Sequence, residues 1–394
     1  MVKRTSKILT VIGVRKMHYR TLGKTGIKVS ILGFGVLRLP TKGRGKIDID
    51  ESIKIIRKSI DGGINFVDTA FNYHNGKSEI ILGQALKDGY REKIILMTKN
   101  PLWEVKSVED FDRLLDEQLA KLEVDYLDIY IFHNVHLKRY QEVIQEFNLL
   151  EKMKQAKKNG KIKHFGFSSH DKPKNIKKYI DENDFEVMLV QYNFADPINE
   201  EIIQYAQEKG LGVILMGPCG GGRLTNEPTE EMKKWLTPGK TNFSDMAFKF
   251  VWSNPHVDIA LSGMSSDRMV DENIALASSD NYQLNTEEKE HLQKVAQKYK
   301  ETYDLNCTQC DYCDGCPEEV NIKLIFEQLM VSRDPLRMHG ARTNYRGIGL
   351  AKKFPGKNAL ACVECGECLE KCPQEIPIID RLKEAHSILK ERDN

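Results

Sequence analysis

The feature that most restricts this chain's fold is an alternation sustained from residue 29 to residue 263. Eight short, apolar and β-branched runs, at 29–35, 64–68, 94–99, 127–133, 164–168, 187–191, 212–216 and 257–263, alternate with longer charged segments of helical period. The runs are almost continuously apolar, which predicts parallel strands buried on both faces. Amphipathic stretches at 50–61, 78–87, 108–122, 140–159, 199–209 and 243–253 predict helices between them. Gly62-Gly63, Gly160 and Gly210 sit where left-handed C-caps would end three of these. Eight strand–helix units in about 250 residues is the span of a TIM barrel. A doubly wound open sheet is the competing architecture, but its first strand ordinarily opens a G-x-G-x-x-G phosphate turn. Residues 33–38 read Gly-Phe-Gly-Val-Leu-Arg and lack the third glycine, so the barrel is the expected fold.

Cysteine usage divides the rest. The chain has 394 residues, enough for two or three domains. Of its nine cysteines, eight lie between Cys307 and Cys372, and Cys219 alone precedes them. Residues 17–285 are therefore assigned to the barrel, 286–303 to a linking helix and 304–394 to a separate cysteine-rich domain. Within that domain 320–330 reads as helical and 340–349 as an Arg/Gly loop. Residues 1–16 form a basic N-terminal extension whose apolar run, 8–14, is short for an export signal and lacks a small-residue cleavage site. Met17 is an alternative start. With 59 Lys and Arg against 57 Asp and Glu, the charge makes no case for nucleic acid or an anionic membrane as partner. No apolar run approaches the roughly 20 residues of a membrane helix. A soluble, cytoplasmic protein is expected, with reduced thiols available as metal ligands.

In a TIM barrel the site lies at the C-terminal ends of the strands. Asp68, Lys99 and His133 end the second, third and fourth runs, and Tyr73 follows in the loop after Asp68. Singly, these residues have ordinary readings as a cap, a packed histidine or a loop anchor. Together they answer one chemical requirement. A phenol with a pKa of about 10 is a weak acid at neutral pH, and a neighbouring lysine cation lowers that value by stabilising the phenolate. Asp68 would hold the ammonium in place. His133 would donate a hydrogen bond to a carbonyl oxygen and orient it toward the acid and a hydride donor.

The strings FVDTAFNYHNGKSEIILGQAL, LMTK, DIYIFHN, FGFSSH and VQYNF resemble the aldo-keto reductase superfamily over residues 19–273. The resemblance implies a catalytic tetrad on Asp68, Tyr73, Lys99 and His133, with Tyr73 as general acid. It implies NAD(P)H-dependent reduction of an aldehyde or ketone, or the reverse oxidation of an alcohol. It also implies a cofactor site, with Ser168 and Gln191 on the nicotinamide carboxamide and Met216 and Gly217 opening the segment along the pyrophosphate. Gly263 begins the adenosine end, where Ser266 and Arg268 match a 2′-phosphate clamp and Glu272 and Asn273 lie near adenine, favouring NADP(H) over NAD(H). A helix from about Asp267 would aim its N–H groups and dipole at a phosphate. Many relatives stack a tyrosine on the nicotinamide where this chain has Met216, whose thioether also covers an aromatic ring.

The cysteine runs read Cys307-x2-Cys310-x2-Cys313-x2-Cys316-Pro and Cys362-x2-Cys365-x2-Cys368-x3-Cys372-Pro. The second is the bacterial ferredoxin run; the first is one residue short before its last cysteine. Zinc is the alternative occupant, but four-cysteine zinc sites draw their thiolates as two pairs, whereas three cysteines at steps of three followed by Cys-Pro suit a cubane. Eight thiolates predict two 4Fe-4S clusters. In two-cluster ferredoxins the fourth cysteine of each run serves the other cluster, which groups Cys307, Cys310, Cys313 with Cys372, and Cys362, Cys365, Cys368 with Cys316. One cluster on the second run is the alternative, should the shortened run not seat a cubane. The 55-residue offset between runs resembles the α-helical ferredoxin domains of some redox complexes.

The expected protein is thus a (β/α)8 TIM barrel followed by a small, mostly α-helical ferredoxin-like iron–sulfur domain. Its expected function is NADP(H)-dependent reduction of a small-molecule carbonyl, with the clusters serving structure, redox sensing or docking of a ferredoxin-type redox partner. The alternative is an electron-transfer or redox-sensing protein whose barrel binds nucleotide without turnover. A hydride carries two electrons at once and a cluster passes one, and no flavin signature is present to link them.

Overall fold

The computed structural model describes residues 16–391 except 43–45, 226, 303–304, 311, 335–336, 352–353 and 373. The expected N-terminal extension, apart from its last residue, lies outside the described residues. Eight parallel strands close a barrel in sequential order: β1 (Leu32–Gly35), β2 (Phe66–Asp68), β3 (Ile95–Asn100), β4 (Leu127–Val135), β5 (Ile162–Ser169), β6 (Val187–Gln191), β7 (Gly212–Met216) and β8 (Ile259–Ser262). The seam closes where Ala260 of β8 pairs with Leu32 of β1. Outside lie α1 (Ile49–Asp61), α2 (Lys77–Ala85), α3 (Glu109–Leu122), α4 (Leu149–Lys158), α5 (Pro173–Glu182), α6 (Glu200–Glu208), α7 (Ser244–Ser253) and α8 (Asp267–Ala277).

The strands' period of two sorts their apolar residues into two layers. Phe66, Met97, Ile129, Ile131, Leu189, Ile214 and Leu261 fill the barrel interior. Val67, Leu96, Tyr130, Phe132, Val190 and Leu215 face the helices. The inward series then runs on to the strands' C-terminal ends. There Asp68 follows Phe66, Lys99 follows Met97, His133 follows Ile131, Gln191 follows Leu189 and Met216 follows Ile214.

Each of the eight apolar runs contributes a barrel strand, but the first contributes two elements. Lys28–Ser30 pairs antiparallel with Tyr19–Thr21, and Leu22 and Val29 of this hairpin join the interior core. The Gly23 N–H donates to Asp258 Oδ2, just before β8, so the hairpin seals the N-terminal end of the barrel. The helix expected over 140–159 is also divided. A π-helical turn, Tyr140–Gln145, precedes α4, and Asn148 separates them at φ 48°, a conformation that asparagine tolerates. Gly63, Gly160 and Gly210 take the positive φ expected after their helices.

Beyond the barrel, α9 (Thr286–Thr302) buries Leu292, Val295 and Tyr299 against Phe194, Leu224 and Phe243, so the helix marked out as a link packs on the barrel. The cysteine domain has its own core, built on α10 (Ile322–Val331), α11 (Met338–Arg346) and α12 (Ile378–Leu389). The loop expected at 340–349 is corrected by α11: Ala341 and Tyr345 are buried in that core, and Tyr345 Oη lies 2.8 Å from His386 Nδ1. Among the described residues no helix is long and apolar enough to cross a membrane.

Candidate functional site

The inward columns end in one cleft of about 1700 Å³, part of it open to solvent. Asp68, Tyr73, Lys99 and His133 all line it. Lys99 Nζ donates to Asp68 Oδ1 at 2.5 Å and to the Thr69 carbonyl at 2.6 Å. Both members of the pair are buried. Burial pushes the Asp68 carboxyl up and the Lys99 ammonium down, and their mutual attraction opposes both shifts. The ammonium stands 4.7 Å from the centre of the Tyr73 ring.

Tyr73 departs from expectation. Burial first, then the Asp68 carboxylate and the Cys310 thiol, push its phenol well above the ordinary value, and Arg38 opposes them. The lysine expected to lower it is matched by a carboxylate at 2.5 Å, so the pair presents the phenol with little net charge.

His133 lies at a register shift between β4 and β5, beside Asn134 at φ 54°. Such bulges re-aim a side chain at the rim of a barrel. Burial, then the cations Lys99 and Arg139, drive the His133 pKa well below its ordinary value, so the ring is neutral. Its flank is Trp103, with ring centres 5.1 Å apart.

The residues expected to hold a nicotinamide also meet at the cleft. Ser168 Oγ accepts from the Asn134 N–H at 2.9 Å. Gln191 Nε2 donates to Asp196 Oδ2 at 2.7 Å, and Met216 and Gly217 follow along the wall. At the far end lie Gly263, Arg268, Glu272 and Asn273. A Cβ on Gly263 would meet Arg38 Cγ at 2.6 Å, so glycine lets that arginine cross the cleft floor. Arg268 is exposed, 3.8 Å from Glu272, and Asn273 Nδ2 donates to Ser262 Oγ at 3.1 Å. Ser266 is not among the lining residues. It is the N-cap of α8, with Oγ accepting from the Met269 N–H at 3.3 Å, and Ser265 lines the cleft instead.

The Cys313 thiol is pushed up by burial and by Cys310, Cys307 and Cys372, and Cys368 by burial and by Cys362, Cys316 and Cys365. The runs share their backbone turns. Gln309 and Glu364, each two residues after the first cysteine, have φ 52° and 58°; Glu319 and Glu375, each three residues after the Cys-Pro cysteine, have φ 57° and 47°. The turn after each last cysteine leads into α10 or α12. The shortened first run therefore repeats the turn geometry of the ferredoxin-type second run, and these residues fit an iron–sulfur group. A cubane holds its thiolates apart on separate irons, and among the described residues no three His, Cys, Asp or Glu groups converge as for a single ion.

Sequence reasoning missed the contacts between the domains. Tyr312 Oη lies 2.8 Å from His133 Nε2, and Thr308 and Cys310 line the cleft with Tyr73. Gln374, two residues past Cys372, exchanges hydrogen bonds with Gln191 at 2.9 and 3.0 Å and lies 3.0 Å from His170 Nδ1. Arg38 Nη2 donates to the Thr308 and Gln309 carbonyls at 3.1 and 2.9 Å. The spacing of the cysteines marks ligands but carries no sign of which barrel residues they face.

Comparison with known proteins places both parts. Residues 31–304 match the Aldo/keto reductase family model, and residues 306–376 match that of the 4Fe-4S dicluster domain. L-galactose dehydrogenase of Arabidopsis thaliana is 30% identical over 287 residues, 66% of this chain and 88% of that protein. The NADH-specific methylglyoxal reductase of Escherichia coli (strain K12) is 29% identical over 231 residues, 53% of this chain and 70% of that protein. The holo form of aldo-keto reductase AKR11C1 from Bacillus halodurans superposes with a TM-score of 0.61 at 27% identity, over 71% of this chain and 96% of that one. With most of its length in that match and its strand-end residues gathered in one cleft, the chain belongs to the aldo/keto reductase family and carries a 4Fe-4S dicluster domain after the barrel.

Proposed function

We propose that the protein reduces an aldehyde or ketone with NADPH, with Tyr73 as general acid. The observation that carries this reading is the buried Lys99–Asp68 pair beneath the Tyr73 ring, in a cleft that also holds the neutral His133. NADPH, when bound, supplies the hydride. Ser168 and Gln191 would hold its carboxamide, with Gln374 giving up its two hydrogen bonds to Gln191; Met216 would cover the ring, and Gly217 would give the backbone room along the pyrophosphate. Gly263, Glu272 and Asn273 line the adenosine end. Arg268 takes the 2′-phosphate, with Ser265 beside it and Ser266 acting as cap of the helix that points there.

A phenol raised by burial stays fully protonated at neutral pH. It yields its proton only as negative charge grows on the substrate oxygen, and the Lys99 ammonium then stabilises the phenolate. The relative named as a dehydrogenase of L-galactose supports running the same chemistry in reverse, with an alcohol as substrate. The relative named NADH-specific makes NADH the comparison to measure.

In the C-terminal domain, Cys307, Cys310, Cys313 and Cys372 would hold one 4Fe-4S cluster and Cys362, Cys365, Cys368 and Cys316 the other. Clusters so held pass single electrons when bound. The matched turns and thiol groupings support two clusters over one. A second reading, electron exchange with a ferredoxin-type partner, is favoured by Cys310 lining the same cleft as Tyr73.

The test is anaerobic purification, NADPH and NADH oxidation over a carbonyl panel, and Tyr73→Phe. The expected loss of kcat is about 100-fold or more, with NADPH affinity retained. Iron and sulfide should each approach about eight per chain. No carbonyl reduction, with clusters that still exchange electrons with ferredoxin, would establish the second reading instead.

A further inference from the structure

Tyr312, between Cys310 and Cys313, reaches into the barrel. Tyr312 Oη and His133 Nε2 are 2.8 Å apart, with the rings edge to face at 6.1 Å. The other ring nitrogen, His133 Nδ1, is buried with no hydrogen-bond partner among the described residues. A neutral imidazole has one N–H and one lone pair, and an orphaned buried N–H is the rarer and costlier of the two. The proton is therefore assigned to Nε2, which donates to Tyr312 Oη. Tyr312 is then the acceptor in that bond, which leaves its own O–H free to donate in the cleft that Tyr73 and Tyr312 line together.

We propose that Tyr312 is a catalytic residue of this site: its hydroxyl, delivered by the cysteine domain, donates to the substrate oxygen the hydrogen bond that His133 would otherwise give directly. The inference rests on the carbonyl-reductase reading. The oxygen then sits between two phenols. Hydride passes from NADPH to the carbonyl carbon, the Tyr73 O–H bond breaks to give oxygen its proton, and the Tyr312 O–H bond stays intact. Tyr312 polarises the carbonyl, and the Nε2–H of His133 strengthens it as a donor.

The loop is held accordingly. Arg38 binds the Thr308 and Gln309 carbonyls, and Arg223 Nη1 donates to the Leu305 carbonyl at 2.8 Å. A Cβ on Gly221 would come within 2.2 Å of the Thr308 carbonyl oxygen, so the loop after β7 admits this segment because it is glycine there. With Cys310 and Cys313 as ligands on either side, a cluster held there would fix the position of Tyr312. That role is geometric, and it requires no conversion of a hydride into single electrons.

The experiment uses the full chain with its clusters, NADPH and 4-nitrobenzaldehyde as probe. Tyr312→Phe keeps the ring and removes the hydroxyl. The expected result is a fall in kcat of about 100-fold. KM for NADPH, iron content and visible cluster absorption should match wild type. The dissociation constant of 4-nitrobenzaldehyde in the non-reacting NADP⁺ complex should rise several-fold. Unchanged kcat overturns the proposal, and so does a lower KM for the aldehyde, which would make the hydroxyl an obstruction. If the variant sheds iron, aldehyde binding to the wild-type NADP⁺ complex is compared before and after cluster removal; equal affinity overturns the proposal and weaker binding supports it. A wild type that turns over the aldehyde through Tyr73 while Tyr312→Phe is silent defeats this inference alone. A wild type that neither reduces nor binds the aldehyde defeats the reductase reading and this inference with it.

Discussion

Lys99 keeps its charge in the barrel because two oxygens, one of them the Asp68 carboxylate, lie within 2.6 Å of it. Removing one partner from such a pair leaves the other charge uncompensated, which costs more than the pair contributes. Asp68→Asn should therefore lower stability by about 3 kcal/mol, read from urea unfolding at pH 7, and Asp68→Leu combined with Lys99→Met should recover part of that loss. His170 gives a pH signature. Burial lowers its pKa to about 4, below the ordinary 6.5. A depressed histidine pKa stabilises the fold above pH 6.5, and that stability is lost as pH falls toward 4. Between pH 7 and pH 5 the wild type should lose about 1–2 kcal/mol more than His170→Asn, measured by urea unfolding at both values. That Asp68, Tyr73, Lys99 and His133 share one cleft was legible in the sequence because three of them end inward-facing strand columns and the fourth lies in the adjoining loop. Tyr312 was not, because its contact with His133 spans 179 residues and depends on how one domain docks on another.

At the scale of elements, α8 is where a sequence assignment and a structural task meet on one residue. Ser266 was assigned to the 2′-phosphate, yet its Oγ caps the helix through the Met269 N–H. Losing a serine cap costs about 1 kcal/mol. Ser266→Ala should show that loss in urea unfolding and weaken NADPH and NADH alike, because it loosens the helix end that faces both. Arg268→Ala should instead raise KM for NADPH and leave KM for NADH within about twofold, since only NADPH carries the 2′-phosphate. Equal effects of Arg268→Ala on both coenzymes would remove it from the clamp. The regular strands and most helices were readable because their apolar period is local. The division of 140–159 rests on Asn148 adopting a left-handed conformation, and α11 has glycine at 340 and poor helix formers, so packing of Ala341 and Tyr345 stabilises it.

Across the whole molecule, the two domains have separate cores but share the cleft. One cysteine group touches the barrel at both of its segments, through Tyr312 to His133 and through Gln374 to Gln191. Those barrel residues are the ones proposed to act on the substrate oxygen, through Tyr312, and on the nicotinamide carboxamide. Cluster occupancy should therefore be felt in the barrel. The 305–316 segment has no regular secondary structure of its own among its described residues, and its described ties to the barrel include arginine side chains donating to its carbonyls. Without a cluster the arginine bonds and the Tyr312–His133 contact remain but the tie between the cysteines is lost, and loop residues ordered by a ligand lose order when it leaves. Removing iron with a chelator under oxidising conditions should accelerate amide exchange at 305–316 and at the loops bearing His133 and Gln191. Exchange in β2, β3 and β7, buried on both faces, should stay as slow as in the intact protein. Hydrogen exchange read by mass spectrometry distinguishes this from a detached ornament: if only the cysteine domain responds, the two halves share a cleft without sharing stability. A joint response makes the iron–sulfur domain part of the reductase site.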